Sequence, residues 1–355
     1  GAPQGAGRVV AVGCIDDGSD PYAKSSGGGG SASSRQMGGE VNMGNCVRFF
    51  DDSTFEEVDR LDLDPYEMIL SMISTRLRVA PDSSGGGNAQ ERKSEEGAAD
   101  PSRQYLPYFV VGTAYAYPDE DEPTSGRIII MRWSGGGGAT GVAADPSTPS
   151  SSAGSALSRS ARAVTEIQTR GGVYSICPFY DGTFLASVNS KTHLCQLTGS
   201  GDAPELKFVG AGHHGHILSL FVRSLVPPGG DTSGASAKGG GNDGPHAAQD
   251  DRPQLAIVGD LMRSISVVRY YPRHKTLEEE ARDYNANWTT AIEMLTEDVY
   301  MGGENWNNLF VLRRNASAAS EEVRCRLDTV GEYHLGEMPN KFMAGSLVMP
   351  NGSGG

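Results

Sequence analysis

A cycle of four short strands returns along this chain at nearly constant spacing, and few folds can accommodate it. Its cleanest copy runs through 172–179 (GVYSICPF), 183–188 (TFLASV), 192–197 (THLCQL) and 205–210 (ELKFVG). The same grammar returns at 216–222, 255–258 and 265–271, and again at 287–295, 299–303, 309–312 and 328–334. Upstream it reads through 8–15, 45–50 and 55–63, then through 66–77, 108–117, 127–133 and 161–168. The pieces are rich in Val, Ile, Tyr and Phe and bounded by Gly, Asp and Asn, as antiparallel hairpins are. In the two uninterrupted copies a small residue of the first strand precedes one of the second by twelve positions, Ser175 to Ser187 and Ala291 to Gly303. The matching pairs elsewhere are Ser71 with Gly112 and Ser219 with Gly259, spread further apart by low-complexity tracts. Ser175 to Ser219 sets a period of 44 residues. A four-strand repeat of that length marks a β-propeller blade, and the period-2 pattern excludes helical repeats of similar size.

The expected fold is therefore all-β: a WD40-like propeller forming one domain over 1–355, with about five blades of a seven-blade ring. The stretch between Tyr271 and Thr290, carrying Arg282 and Trp288, reads as a connector, and 341–349 as the first strand of one more cycle. Four Gly/Ser-rich stretches, 17–45, 81–104, 134–160 and 227–253, interrupt the pattern. They carry too little apolar surface to offset their ordering entropy and are expected to be disordered loops, inserted between strands where added length is tolerated. The chain lacks an initiator Met and opens inside a strand-like run, so it reads as a fragment. Its ring would be closed by strands supplied elsewhere, leaving exposed edges.

A net charge of −14 argues against broad phosphate neutralisation, leaving nucleic-acid binding weak or indirect. The five cysteines are widely spaced, form no CxxC and sit mostly in apolar runs, as buried thiols of a reducing compartment do. No apolar run is long enough to span a bilayer. The chain holds no GxGxxG before a helix, no GxxxxGK[ST], no HExxH and no GxSxG. The acidic run 118–123 (PDEDEP) reads as a solvated turn, and Gly259-Asp260 and 302–304 as residues that tie hairpins. His213, His214 and His216 form the one histidine cluster. Imidazoles so placed can bind a metal, but with no Cys or carboxylate at ligand spacing a polar turn between blades fits better. No enzymatic activity, cofactor or metal is expected; a propeller enzyme would need convergent carboxylates or histidines on its inner strands.

More telling is a polar and aromatic set near the first strands: Tyr174, Leu220, Phe221, Arg263, Arg282, Trp288 and Asn340. First strands line a propeller's channel, and large aromatics with Arg at its faces have the character of binding hot spots. For Phe221 and Trp288 the plainer reading is packing between blades.

At these residues the wording becomes recognisable. VGDLMRS (258–264), ARDYNANW (281–288), GGENWNNLFV (302–311), YHLGE (333–337) and GSLVM (345–349) resemble the third propeller of a family of large multi-propeller proteins. That family takes in the large subunit of the damaged-DNA-binding complex, the cleavage/polyadenylation factor A subunit and a splicing-factor 3b subunit. GDLMRS and ARDYNANW look like its cullin–RING ubiquitin ligase adaptor branch. The resemblance implies a non-enzymatic scaffold of the nucleus and cytoplasm, whose cleft takes a short helical motif of substrate receptors. The cullin would be held by a propeller not present in this chain, and DNA reached through a partner. It also implies that the cleft is lined at Tyr174, Leu220, Phe221, Arg263, Arg282, Trp288, Met338 and Asn340, with Pro339 and Lys341 where apolar residues are usual. The alternative is an RNA-processing subunit that binds nucleic acid.

Overall fold

The chain is all-β. The computed structural model describes residues 9–16, 44–80, 105–134, 159–200, 203–226 and 254–343, arranged as five successive sheets. Blade I holds β1 (Val9–Asp16), β2 (Gly44–Asp51) and β3 (Glu57–Asp62), paired in that order. Blade II holds β4 (Glu67–Ala80), β5 (Tyr105–Tyr115), β6 (Gly126–Ser134) and β7 (Ser160–Thr169). Blade III holds β8 (Val173–Pro178), β9 (Phe184–Val188), β10 (Lys191–Ser200) and β11 (Ala203–His214). Blade IV holds β12 (Ser219–Ser224), β13 (Gln254–Asp260), β14 (Ile265–Tyr271) and β15 (Thr276–Arg282). Blade V holds β16 (Thr289–Met294), β17 (Val299–Glu304), β18 (Asn308–Arg314) and β19 (Leu327–His334), with the short helix α1 (Glu321–Arg324) before its last strand. Strands within each blade are antiparallel meanders, and a short parallel contact between β4 and β10 joins blades II and III. The fold is a partial β-propeller.

The second strands show why blades stack. In β13, Leu255 and Ile257 face the core shared with blade V, while Ala256 and Val258 face the core shared with blade III. Both faces are buried, so the strand reads as an unbroken apolar run. A third cluster, including Val110, Ile128, Val173 and Phe184, fills the space between blades II and III. A fourth, with Phe49, Val111 and Ile129, joins blades I and II. Cys177 and Cys195 are buried in these layers and Cys46 is buried in β2, whereas Cys325 is exposed beside α1. Burial pushes the Cys177 thiol up to about 12, leaving it unreactive at neutral pH.

The small residues at fixed spacing meet across the sheets and between blades. Ser71 pairs with Gly112, Ser175 with Ser187 and Ala291 with Gly303. A Cβ on Gly112 would lie 2.6 Å from Val173 Cγ1 of the next blade, and one on Gly303 would lie 2.2 Å from Pro339. Ser71 Oγ donates to Val173 O at 2.9 Å, and Ser175 Oγ accepts the Val222 amide at 3.2 Å. Blade IV departs from expectation. Gly259 pairs with Phe221, and Ser219 with Asp260, because the chain bulges between Ser219 and Phe221. All four inner strands bulge at the same place, at Leu70, Tyr174, Leu220 and Thr290.

A second correction concerns the stretch read as a connector, whose first residues complete the blade's outer strand, β15, before the link proper begins at Asp283. A bulge opposite Val267 and Val268 turns Leu277 toward blade III and Ala281 toward blade V. That switch of faces breaks the alternation that marks a strand. The equivalent third-to-fourth pairs of the other blades also carry a bulge, including β2 with β3, which identifies blade I's strands as the last three of a blade. Of the stretch 341–349 read as a further strand, 341–343 are not in strand conformation and the rest lies outside the described residues. The four Gly/Ser-rich stretches lie almost wholly outside them too. The strand ends flanking 81–104, 135–158 and 227–253 are on one face of the ring, here called the lower face.

Two outcomes follow from this packing. Gly112→Val should destabilise the protein by about 1–3 kcal/mol, because the inter-blade contact has no room for a side chain; a shift of the urea midpoint measures it. His193 stacks on Phe208 at 4.6 Å between ring centroids, and burial, helped by Lys191 and His214, lowers its pKa to about 4. The unfolded chain then binds a proton that the folded one does not. Stability is full above about pH 6.5 and falls as the pH drops toward 4, by up to about 3 kcal/mol. In His193→Phe, denaturation measured between pH 7 and 4 should show a shallower decline.

Candidate functional site

The upper face of the ring, opposite the one that receives three of the long insertions, carries the second-to-third strand turns and the links between blades. Its sharpest construction is in blade IV. Asp260 is 1% exposed and its carboxylate accepts the amides of Ile217 at 2.6 Å, Met262 at 2.9 Å and Arg263 at 3.0 Å. It ties the β13–β14 turn to the incoming link, as the sequence reading of Gly259-Asp260 anticipates. Ser264 takes a φ of 56°, and its hydroxyl donates to the buried Asp283 carboxylate at 2.6 Å. Asp283 also accepts the Asn285 amide at 3.1 Å, which shapes the ARDYNANW link. Burial raises the Asp283 carboxyl, against the pull of these donors.

These turns place the two arginines. Arg263 Nη1 and Arg282 Nη2 both donate to the Gly215 carbonyl, at 3.3 and 3.0 Å. Arg282 also holds Glu279 with two bonds, at 2.9 and 2.5 Å, and its side chain is only 16% exposed. Among the described residues the Arg263 side chain makes one long hydrogen bond, and it is exposed, so most of its donors face solvent. Burial acts to raise the Glu279 carboxyl, but His213 and Arg282 outweigh it and hold it at about 2. Behind them, His216 is buried, with Nε2 2.6 Å from Ser266 Oγ, and burial lowers its imidazole to about 4. A carboxylate does accompany the histidines, contrary to the sequence expectation. Glu279 comes from β15, the strand that was read as connector, and reaches them across the blade boundary.

The other expected residues divide into two groups. Tyr174, Phe221 and Asn340 line an open cavity of about 760 Å³ formed by the inner strands of blades II to V. Arg223 and Glu293 also face it, and Arg223 is engaged with Ser175 Oγ at 3.2 Å and Val222 O at 2.8 Å. Phe221 packs against the core between blades IV and V as well, so both readings of that residue hold. Leu220 is the half-buried bulge residue of β12 and is not among the cavity's lining side chains. Trp288, Arg263, Arg282 and Met338 instead form the rim. Trp288 is 38% exposed and meets Trp306 edge to face at 6.0 Å. Met338 is exposed on the segment whose Pro339 carbonyl accepts Thr290 Oγ1 at 2.6 Å, bringing Asn340 over the channel.

Sequence reasoning missed Ile217, Met262, Tyr284 and Trp306, all exposed on this face. A signal existed: they are large apolar residues inside Gly-, Asp- and Asn-rich turns, where no core needs them. An exposed apolar and aromatic rim with a largely solvent-facing guanidinium has the makeup of an interaction surface.

The chain belongs to the CPSF A subunit family: the CPSF A subunit region matches residues 44–206 and 249–355. It is 34% identical over 305 residues to DNA damage-binding protein 1 of Solanum lycopersicum, across 85% of this chain and 21% of that protein. Against DNA damage-binding protein 1a of Arabidopsis thaliana it is 33% identical over 314 residues, 88% of this chain and 22% of the relative. The chain thus spans about a fifth of the length of these relatives.

Asp260→Ala should leave three part-buried amides without their acceptor and destabilise the protein by about 1–2 kcal/mol. Asp260→Asn, which keeps one carbonyl oxygen, should lose less; paired chemical denaturation curves give the comparison.

Proposed function

We propose that this propeller is a non-enzymatic docking module of a ubiquitin ligase adaptor, serving DNA damage repair and protein turnover in the nucleus and cytoplasm. Its upper face receives a short helical motif from substrate receptors. The cullin scaffold and any DNA are reached through other parts of the assembly. The reading is supported by the resemblance to DNA damage-binding proteins and, above all, by one observation on this chain. Trp288, Trp306, Tyr284 and Met262 are exposed on the same face of the ring as the solvent-facing guanidinium of Arg263. Aromatic side chains supply large contact area, and a planar guanidinium can hold a carboxylate or the last carbonyls of a helix with several donors at once. Arg282 plays a supporting part: bound to Glu279 and Gly215, it fixes the ground on which Arg263 stands. Tyr174, Phe221 and Asn340 extend the apolar floor into the channel.

The net charge of −14 favours this over the RNA-processing alternative. In the full-length protein that carries this propeller, Arg263→Ala and Trp288→Ala should each weaken binding of receptor motif peptides by roughly 30- to 1,000-fold, equivalent to ~2–4 kcal/mol. Arg282→Ala should weaken it less. Titration of labelled peptides reads the change. Unaltered affinity in all three variants, with wild-type melting, would sink the assignment of this face.

A further inference from the structure

We propose that His213, His216 and Glu279 bind a single divalent transition-metal ion, zinc foremost, clipping the outer strand of blade III to that of blade IV. His213 lies at the end of β11, His216 in the link to blade IV, and Glu279 in β15. The three ligand atoms all lie within 4.8 Å of one another. Two ligands on a tetrahedral zinc stand about 3.3 Å apart, given bonds of ~2.0–2.1 Å. His213 Nε2 and Glu279 Oε2, at 3.7 Å, are nearly there already. Small side-chain rotations would close the set.

The histidines are 9% and 8% exposed, yet among the described residues His213 Nε2 and His216 Nδ1 have no hydrogen-bond partner. Buried polar atoms left in that state are costly, and a metal bond satisfies both. The surroundings are those of supported ligands. In the tautomer whose Nε2–H donates to Ser266 Oγ, 2.6 Å away, His216 presents a bare lone pair at Nδ1. Glu279 Oε2 accepts Arg282 Nη2, but a carboxylate oxygen has a second lone pair to offer. Two imidazoles and one carboxylate suit zinc rather than calcium or magnesium, which prefer all-oxygen shells. The neighbouring Arg282 charge opposes a cation, so binding should be micromolar rather than nanomolar.

The backbone favours the same site. Gly212 has a φ of 74°, and a Cβ on Gly215 would lie 3.2 Å from His213 Nε2 and 3.3 Å from Arg282 Nη2. A side chain at Gly215 would crowd the gap between the ligands. His214, between the two ligands, is exposed and serves as an internal control. The inference does not depend on what docks on the upper face.

The test uses the whole chain, freed of metal with a chelator and titrated with zinc against a chromophoric competitor. Wild type and His214→Gln should bind one equivalent and melt higher with zinc. His213→Gln and Glu279→Gln should bind at least about tenfold more weakly, since loss of even supporting groups at metal sites costs 10- to 100-fold. Circular dichroism without metal checks that the variants fold. Should one unfold, cobalt(II) on wild type keeps the question open to refutation: bound cobalt should show the intense visible bands of four- or five-coordination. Binding unchanged in both ligand variants, equal loss in His214→Gln, or only the pale spectrum of six-coordinate cobalt would overturn the site.

Discussion

The close approach of each inner strand to the blade before it is the contact on which the rest of this structure depends. Gly112 leaves room for Val173, Gly259 for Ile292 and Gly303 for Pro339. Hydroxyls then bridge the same boundary: Ser71 reaches Val173 O, and Thr289 Oγ1 reaches Asp260 O at 2.6 Å. A larger residue on the second strand would push neighbouring blades apart and open the apolar layers between them. Because interiors are close-packed, such a gap removes dispersion contacts and burial together. The recurring small residues are thus the sequence trace of a packing limit.

The inner-strand bulges connect this packing to the upper face. A bulge adds one residue that the ladder does not pair and re-aims its neighbours. Here the extra residue falls near the upper end of every complete blade, at Leu70, Tyr174, Leu220 and Thr290. Tyr174 consequently faces the channel, and Thr290 reaches out to anchor the segment bearing Met338 and Asn340. The distortion that fits four strands around a channel also supplies side chains to its mouth.

Charge is arranged with similar economy. The chain is acidic overall, and the β5–β6 turn exposes Asp119, Asp121 and Glu122 on this face, but in blade IV the carboxylates are occupied: Asp260 and Asp283 by turn amides and hydroxyls, Glu279 by Arg282. Arg263 is left facing solvent with unspent donors. At the blade IV turns the surface therefore offers a cation rather than the protein's average charge. That local reversal is invisible to the net charge, which weighs only against broad contact with nucleic acid.

Local pattern alone was enough to set the strand order, the four-strand cycle and the apolar layers, because alternation and turn residues act over a few positions. The small-residue spacing gave three of the four inner pairings correctly. The fourth, Phe221 with Gly259, depended on where a bulge fell, and nothing local distinguishes Ser219 from Phe221 as the paired residue. Strand β15 escaped for the same reason: its bulge exchanges the buried face midway, so Leu277 and Ala281 serve different cores. Sequence singled out the candidate residues as a set of aromatics and arginines near first strands, but could not divide them into cavity wall and rim. Those roles follow from which strand ends share a face of the ring. Tertiary structure alone joined Glu279 to His213 and His216, since the three meet only where the outer strands of two blades come side by side.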